Sequence, residues 1–482
     1  MDLQLLKPDA GHDGPMYLQL YRRYRNAIAQ GQLAPGDRVP SVRSLASALN
    51  LARGTVELAY QMLTSEGYFV ARGAAGTIVS PRITGLPGAG EPKAAREAPP
   101  AMPSRDTAPG DILPFQLGLP ALDAFPRKTW ARLTGRCLRT LDTAAMLYPH
   151  PAGYEPLRRA IATYLGVSRG ISCSHEQVFV TGGYRGALDL VCRTLLQPGD
   201  LGWYEDPGYV HARHHLLNAG MRLAPIPVDD EGMNVAVGLR VAADARFAVV
   251  TPTHQSPTGV ALSLPRRLEL LEWAKARGAW IIEDDYDSEF RYHGRPLPAL
   301  KSLDAGGRVL YTGTFSKVLF PGLRLAYLVA PSALVERLNL ALNHVPGPGS
   351  ILPQAMVAEF MEQGHFARHL RKMRTLYATR RGYLVDALER VMGDRLYVQP
   401  QAGGIHVLAY LPQEHGDRAL AAAAAAAGLA VGALSDWYMH NAERGGLLMG
   451  FANFVSAGWT DDATMRLQVV LERSRSSTRA TS

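Results

Sequence analysis

From about residue 113 to residue 474, short and almost wholly apolar runs alternate with longer stretches of helical periodicity. This alternation narrows the possible folds more than any other feature. QVFVTG (177–182), RFAVVTP (246–252), AWIIEDD (279–285), RVLYTG (308–313) and LRLAYLVA (323–330) read as strands covered on both faces. Between them lie patterns such as PRRLELLEWAKARG (265–278), which read as helices. Strands and helices in turn imply an α/β domain around a largely parallel sheet. The alanine run at 421–427 reads as a surface helix ended by Gly428.

The rest of the chain divides by composition. Residues 1–80 carry a compact helical pattern with a glycine-punctuated end. Residues 81–112 are rich in Pro, Gly and Ala, with almost nothing to bury, and read as a flexible linker. Residues 475–482 are polar and read as a disordered tail. At 482 residues two or three domains are expected, and 47% apolar with 20% charged residues fits a soluble globular protein. No apolar run is long enough for a membrane span, and the N-terminus lacks the pattern of a secretory signal, so a cytoplasmic location is expected. Cys137, Cys173 and Cys192 show no CxxC spacing and suggest neither disulfides nor a metal site. The net charge of +8 permits nucleic-acid binding without establishing it. Residues 1–80 hold Lys7 and seven arginines against six acids, a net of only +2, so any DNA-facing charge must be gathered on one side.

Residues 17–31 read as a first helix. Ser41 can cap a short second helix, SVRSLASALN, and LARG (51–54) is a tight turn. Thr55 falls in the first turn of a third helix, TVELAYQMLTSEG. Two helices joined this tightly form a helix-turn-helix pattern, and YFVARGAAGTIVS alternates around Gly73 and Gly76 as a β-hairpin wing would.

In TGTFSKVLFPGLRLAYLVA (312–330) a lysine flanked by small hydroxyl residues follows a strand, a setting suited to Schiff-base chemistry with pyridoxal 5′-phosphate (PLP). Lys317 would form the imine. Thr314, Ser316 and Arg324 offer hydroxyls and a positive fork to the phosphate. Asp284, after an apolar strand, can keep the pyridine nitrogen protonated, and Tyr286 can donate to the ring oxygen O3′. TGGYRGALDLVC (181–192) is a strand-to-helix turn able to cradle a phosphate. Tyr209, in EDPGY, can stack on a ring, and TPTHQSPTG (251–259) ends another strand with polar residues.

The N-terminal set Pro35-Gly36, Leu45-Ala46, Arg53, Thr55, Val56, Tyr60, Leu63, Glu66-Gly67, Gly73 and Gly76 resembles the GntR family of winged helix-turn-helix domains. That resemblance implies that Ser41, Arg43, Arg53 and Thr55 approach bases or phosphates in the major groove. Arg72, Gly73 and Thr77 would belong to the wing on the backbone. The larger block resembles fold-type I aminotransferases. With the N-terminal head, and with DDYDSEF, FSKVLFPGLRLAY, EDPGY and TPTHQSPTG, the chain is similar to the MocR/GabR family of PLP-dependent regulators. The implied architecture is a winged helix-turn-helix, mainly α with a small β wing, plus an α/β transferase-like domain with a small C-terminal α+β subdomain. The resemblance implies that Lys317 carries the internal aldimine and that Asp284, Tyr286 and Tyr209 hold the ring. It places Gly183, Tyr184, Arg185, Thr314, Ser316 and Arg324 about the phosphate, and His254 and Gln255 at the ring edge. Tyr148 would be lent across a homodimer interface, with paired DNA half-sites. Ser256 stands where that family usually has Asn, with two extra residues before Pro-Thr-Gly.

An aminotransferase also needs a cation, usually Arg on a late strand, for the substrate α-carboxylate. GGLLMGFANF (445–454) has none at the matching place, although Arg444 lies just before it. The expected function is a DNA-binding regulator sensing PLP or an amino compound, in vitamin B6 synthesis or amino-compound metabolism. A working aminotransferase with an accessory DNA-binding domain is the alternative.

Overall fold

The computed structural model describes residues 6, 14–81, 112–143, 146–292, 294, 297–342, 347, 349–412, 416–440, 442 and 444–479. The linker expected at 81–112 lies, apart from its two end residues, outside the described residues. The chain divides into two compact units, Met1–Asp106 and Thr107–Ser482.

The first unit contains α1 (Met16–Ala29), β1 (Arg38–Val39), α2 (Val42–Leu49), α3 (Arg53–Ser65), β2 (Phe69–Ala71) and β3 (Thr77–Val79). The order β1-β3-β2 makes a small antiparallel sheet. The Ser41 hydroxyl accepts from the Ser44 amide (3.2 Å), so α2 starts at its expected cap. Asn50, left-handed at φ 53°, stops that helix. The turn is shorter than LARG: Arg53 and Gly54 already belong to α3, because the Thr55 amide bonds back to Ala52 (3.0 Å). Tyr24, Tyr60 and Phe69 meet edge to face with centroids 5.1–5.7 Å apart, joining α1, α3 and the wing.

In the second unit the strands are β4 (Val178–Thr181), β5 (Leu201–Asp206), β6 (Arg222–Asp229), β7 (Gly232–Met233), β8 (Phe247–Val250), β9 (Trp280–Asp285), β10 (Val309–Thr314) and β11 (Ala326–Val329). They form one sheet in the order β4-β11-β10-β9-β8-β5-β6-β7. The strands β10, β9, β8, β5 and β6 run parallel to one another, and β11 is antiparallel to both its neighbours. All residues of β4, β8 and β11 are buried, as their apolar runs require. The helices here are α4 (Arg127–Thr140), α5 (Glu155–Arg169), α6 (Tyr184–Leu195), α7 (Val210–Asn218), α8 (Val235–Val241), α9 (Leu264–Arg277), α10 (Val335–Leu342), α11 (Ile351–Glu362) and α12 (His365–Met392). Ser263 caps α9 and Gly278, at φ 66°, ends it.

A C-terminal subdomain follows: β12 (Tyr397–Val398), β13 (His406–Tyr410), α13 (Asp417–Ala426), β14 (Gly432–Ala433), β15 (Gly446–Gly450) and α14 (Ala457–Arg479). Its antiparallel sheet is ordered β12-β13-β15-β14. One expectation fails here. Residues 475–479, assigned to a disordered tail, belong to α14, and only 480–482 lie outside the described residues. After Gly458 the segment has neither Gly nor Pro, and extending a formed helix costs little per residue.

Candidate functional site

The parallel strands all end on one side of the large sheet, where ligands of open α/β sheets bind. Thr312 of β10 pairs with Asp284 of β9, and Lys317 follows β10 within one turn. Successive residues of β9 point to opposite faces, which separates three consecutive acids. Glu283 accepts from the Leu300 and Lys301 amides (both 2.8 Å). Asp285 pairs with Arg169 (3.1 Å) and accepts from the Tyr311 hydroxyl (2.6 Å). Among the described residues Asp284 has no arginine ion pair, and its charge bears instead on Lys317. Burial, and then the Asp285 charge, push its carboxyl up to about 8, and the neighbouring Tyr184 hydroxyl offsets part of this.

Lys317 donates from Nζ to the Gly118 carbonyl (2.7 Å). Burial lowers its pKa, and the charges that oppose this are Asp287 and Asp284. Gly118 reaches this place because the preceding residues are stitched to the C-terminal subdomain. The Phe115 carbonyl accepts from Gly450 (2.8 Å), and that of Pro114 from Ala430 (2.9 Å). A side chain on Gly450 would meet the Gln116 carbonyl at 2.1 Å. Phe115, buried at φ 65°, holds a left-handed backbone that a bulky residue rarely adopts.

His254 Nδ1 lies 3.0 Å from the Tyr286 hydroxyl and 3.1 Å from Asp287 Oδ1. A ring N–H there is donated to the carboxylate, which leaves the Tyr286 phenol proton free for another acceptor. His254 Nε2 is buried and has no hydrogen-bond partner. His406 stands 5.7 Å from the His254 ring and pairs with the Pro257 carbonyl (3.0 Å). Burial and the neighbouring His254 bring its pKa down to about 4. Gly404 packs so closely that a side chain would meet the His254 ring at 2.2 Å.

At the other end, α6 begins after Gly183 (φ 90°, ψ 174°), with no side chain capping it. The Arg324 guanidinium lies over Gly183, within 3.3 Å of where a Cβ would stand. Arg324 and Arg185 both act on the Tyr209 hydroxyl. Just past β10 the Ser316 amide donates to the Thr314 hydroxyl (3.1 Å). A helix N-terminus with two arginines and two hydroxyls suits a phosphate.

The residues fit PLP on these observations: a buried amine, a carboxyl lacking an arginine partner, an orphaned imidazole nitrogen and an uncapped helix start. Lys317, Asp284, Tyr286, Tyr209, Tyr184 and His254 lie close enough to act on one another through charge or hydrogen bonds. Gln255 is buried and engages protein partners. Its amide ties its loop to the end of β5, donating to Glu205 (3.1 Å) and the Pro207 carbonyl (2.8 Å) as well as to the Ser256 carbonyl (2.9 Å), and accepting from the Thr258 hydroxyl (2.7 Å). Its role is to hold the loop. Tyr148 is fully exposed, at 102%, and far from serving this site within its own chain. Sequence reasoning missed Gly118, Asp287 and His406. Only the Gly-Gly pair at 403–404 hinted at a close backbone approach there.

In the first unit Arg43 opens α2 and Arg53 opens α3, both exposed, while Thr55 is half-buried. Arg72 and Gly73 (φ 56°) form the exposed tip of the wing, with Thr77 half-buried in β3. Ser41 spends its hydroxyl on its helix.

A winged helix-turn-helix unit and an aminotransferase-type pocket on one polypeptide define a class of two-part transcription regulators. Residues 16–79 match the bacterial regulatory proteins of the gntR family, and residues 123–439 match the aminotransferase class I and II family. The chain belongs to the MocR/GabR family of regulators, which joins these two domains. It is 37% identical over 470 residues to a protein of Rhizobium meliloti named a probable rhizopine catabolism regulatory protein, MocR, covering 96% of this chain and 94% of that one. It is 33% identical to the pyridoxine biosynthesis transcriptional regulator PdxR of Corynebacterium glutamicum, over 93% of each chain. Among solved structures it is similar to a kynurenine aminotransferase of Pyrococcus horikoshii, with TM-score 0.69 and 27% identity over 76% of this chain and 92% of that one. The α-aminoadipate aminotransferase LysN of Thermus thermophilus gives TM-score 0.68 and 30% identity over 75% and 92%. The fold is therefore that of fold-type I aminotransferases, and full-length similarity to named regulators favours regulation over transamination. Among the described residues no helix is long and apolar enough to cross a membrane.

Proposed function

We propose that this regulator carries PLP on Lys317 and that the loaded pocket, alone or after meeting an amino compound, alters how the protein holds its operator. When bound, the cofactor supplies an aldehyde for an imine and an electron-withdrawing pyridine ring. The chain's own groups do the rest. Lys317, whose charged form burial disfavours, is the amine. Asp284 shares a proton with the ring nitrogen. Tyr286, whose phenol proton His254 does not accept, donates to the ring oxygen. Arg324, Arg185, Ser316 and the start of α6 receive the phosphate. The observation that carries this reading is the placing of the Lys317 amine, just past β10, beside the buried Asp284 carboxyl of the adjacent strand β9.

Two copies are the natural working unit. Met146, Leu147 and Tyr148 stand 71%, 67% and 102% exposed, an apolar segment that a second chain can cover. DNA would then be bound at paired half-sites by Arg43, Arg53, Thr55 and the Arg72 wing. Control of vitamin B6 synthesis or of amino-compound metabolism is the physiological role this supports. Ligand can shift DNA binding only through different affinities for two arrangements. The test is footprinting on the gene's own upstream DNA with and without PLP, beside Lys317→Ala. A PLP-dependent change in wild type that the variant lacks is expected, and identical footprints and affinities would refute the reading.

A further inference from the structure

The effector's chemical class can be read from the wall that faces Lys317. Residues two apart on a strand share a face. On β13 the face bearing His406, which acts on the Lys317 side of the pocket, also bears Leu408. The register puts Leu448 of β15 opposite Leu408 and Gly450 opposite His406. Leu408, Leu434 and Leu448 are wholly buried in one cluster, closed by Leu117 and Trp437. Leu117 precedes Gly118, the residue whose carbonyl holds Lys317 Nζ. Trp437 lies 5.9 Å from the ring of Tyr209. Beyond His406 this shared face of β13 and β15 carries leucine, with no cation among its described strand residues.

Four arginines near this face make contacts of their own. Arg444, the nearest in sequence to β15, sits over the Tyr410 ring at 4.0 Å, beyond Leu408 along the same face. Arg213 donates to the carbonyls of Asp436, Trp437 and Tyr438. Arg185 and Arg324 belong to the phosphate site at the start of α6.

From this juxtaposition we propose that the effector is a primary amine bearing an apolar group and no carboxylate. A carboxylate would have to be buried against leucine without a partner, which is costly. An uncharged group there gains by burial instead. The inference rests on the reading of Lys317 as the cofactor's anchor.

The test uses the full-length, PLP-loaded protein and matched pairs: 2-phenylethylamine against phenylalanine, and isobutylamine against valine. The readouts are the visible absorption of the bound cofactor and the footprint on DNA, both binding measurements. Each amine is expected to act at a concentration at least tenfold below that of its amino acid. Leu448→Arg should reverse the order, and the wild-type comparison stands alone should that variant fail to fold. Equal potency, or an advantage for the amino acids, overturns the proposal. If neither member of a pair acts in the millimolar range, the proposal is also overturned, while a footprint that responds to PLP alone leaves the broader reading intact. Failure of the protein to take up PLP at all would instead refute that broader reading.

Discussion

Replacing Asp284 with asparagine should stabilise the cofactor-free protein, increasingly so as the pH rises. The folded protein holds the Asp284 carboxyl at about 8 against 3.8 for an ordinary aspartate, because burial and the adjacent Asp285 charge disfavour ionisation. A folded-state value above the unfolded one means the folded state binds the proton more tightly. The stability this gives is complete below about pH 4 and is lost as the pH rises toward 8, at up to about 1.4 kcal/mol per pH unit. Between pH 5 and pH 7.5 the upper bound is about 3.4 kcal/mol, and structural relaxation brings the expected loss to about 1–3 kcal/mol. Asp284→Asn cannot titrate and should escape it. Urea unfolding of both proteins, free of cofactor, at the two pH values measures the difference directly. Glu283, pushed up to about 7 by burial, titrates in the same range but is common to both proteins, whereas Glu205, also pushed up to about 7, adds to the Asp284 shift and its coupling is part of the measured difference. The stability gap should widen in favour of Asp284→Asn by about 1–3 kcal/mol. With PLP added the order should reverse, since only aspartate can pair with a protonated ring nitrogen. A gap independent of pH would refute the assignment of Asp284 as a carboxyl poised for that partner.

Three further outcomes follow from particular contacts. Gly183→Val would place a side chain against Arg324 and force a backbone region that is essentially glycine's alone, at about 1–3 kcal/mol; equilibrium dialysis should show PLP affinity lowered at least tenfold. Ser41→Ala removes the cap of α2 and should cost the DNA-binding unit about 1 kcal/mol in thermal or urea unfolding. Arg53→Ala should weaken operator binding, and if the side chain meets a phosphate the slope of log affinity against log salt should fall by about one.

The pocket was legible where chemistry sits at the end of an apolar strand, since period and position together fix which way a residue points. Lys317, Asp284 and the Gly183 turn fall in this group, as do the capped helix α2 and the wing glycines. Other parts could not be read from local pattern. Gly118 lies about two hundred residues before Lys317, and only the packing of the 114–118 segment on β15 brings its carbonyl to the amine. His406 looks like one more residue of a buried strand until Gly404 brings its neighbourhood against His254. Gln255 misled for a related reason: a polar side chain beside an active loop is indistinguishable by sequence from one that the loop consumes. The end of α14 misled because polar composition resembles disorder, although nothing in those residues breaks a helix already formed.

The most direct measurement is borohydride reduction of the purified protein supplied with PLP, followed by peptide mass spectrometry. The account predicts one reduced pyridoxyl adduct, on the peptide containing Lys317, and none in Lys317→Ala. An adduct on another lysine, or none in the wild-type protein, would contradict it.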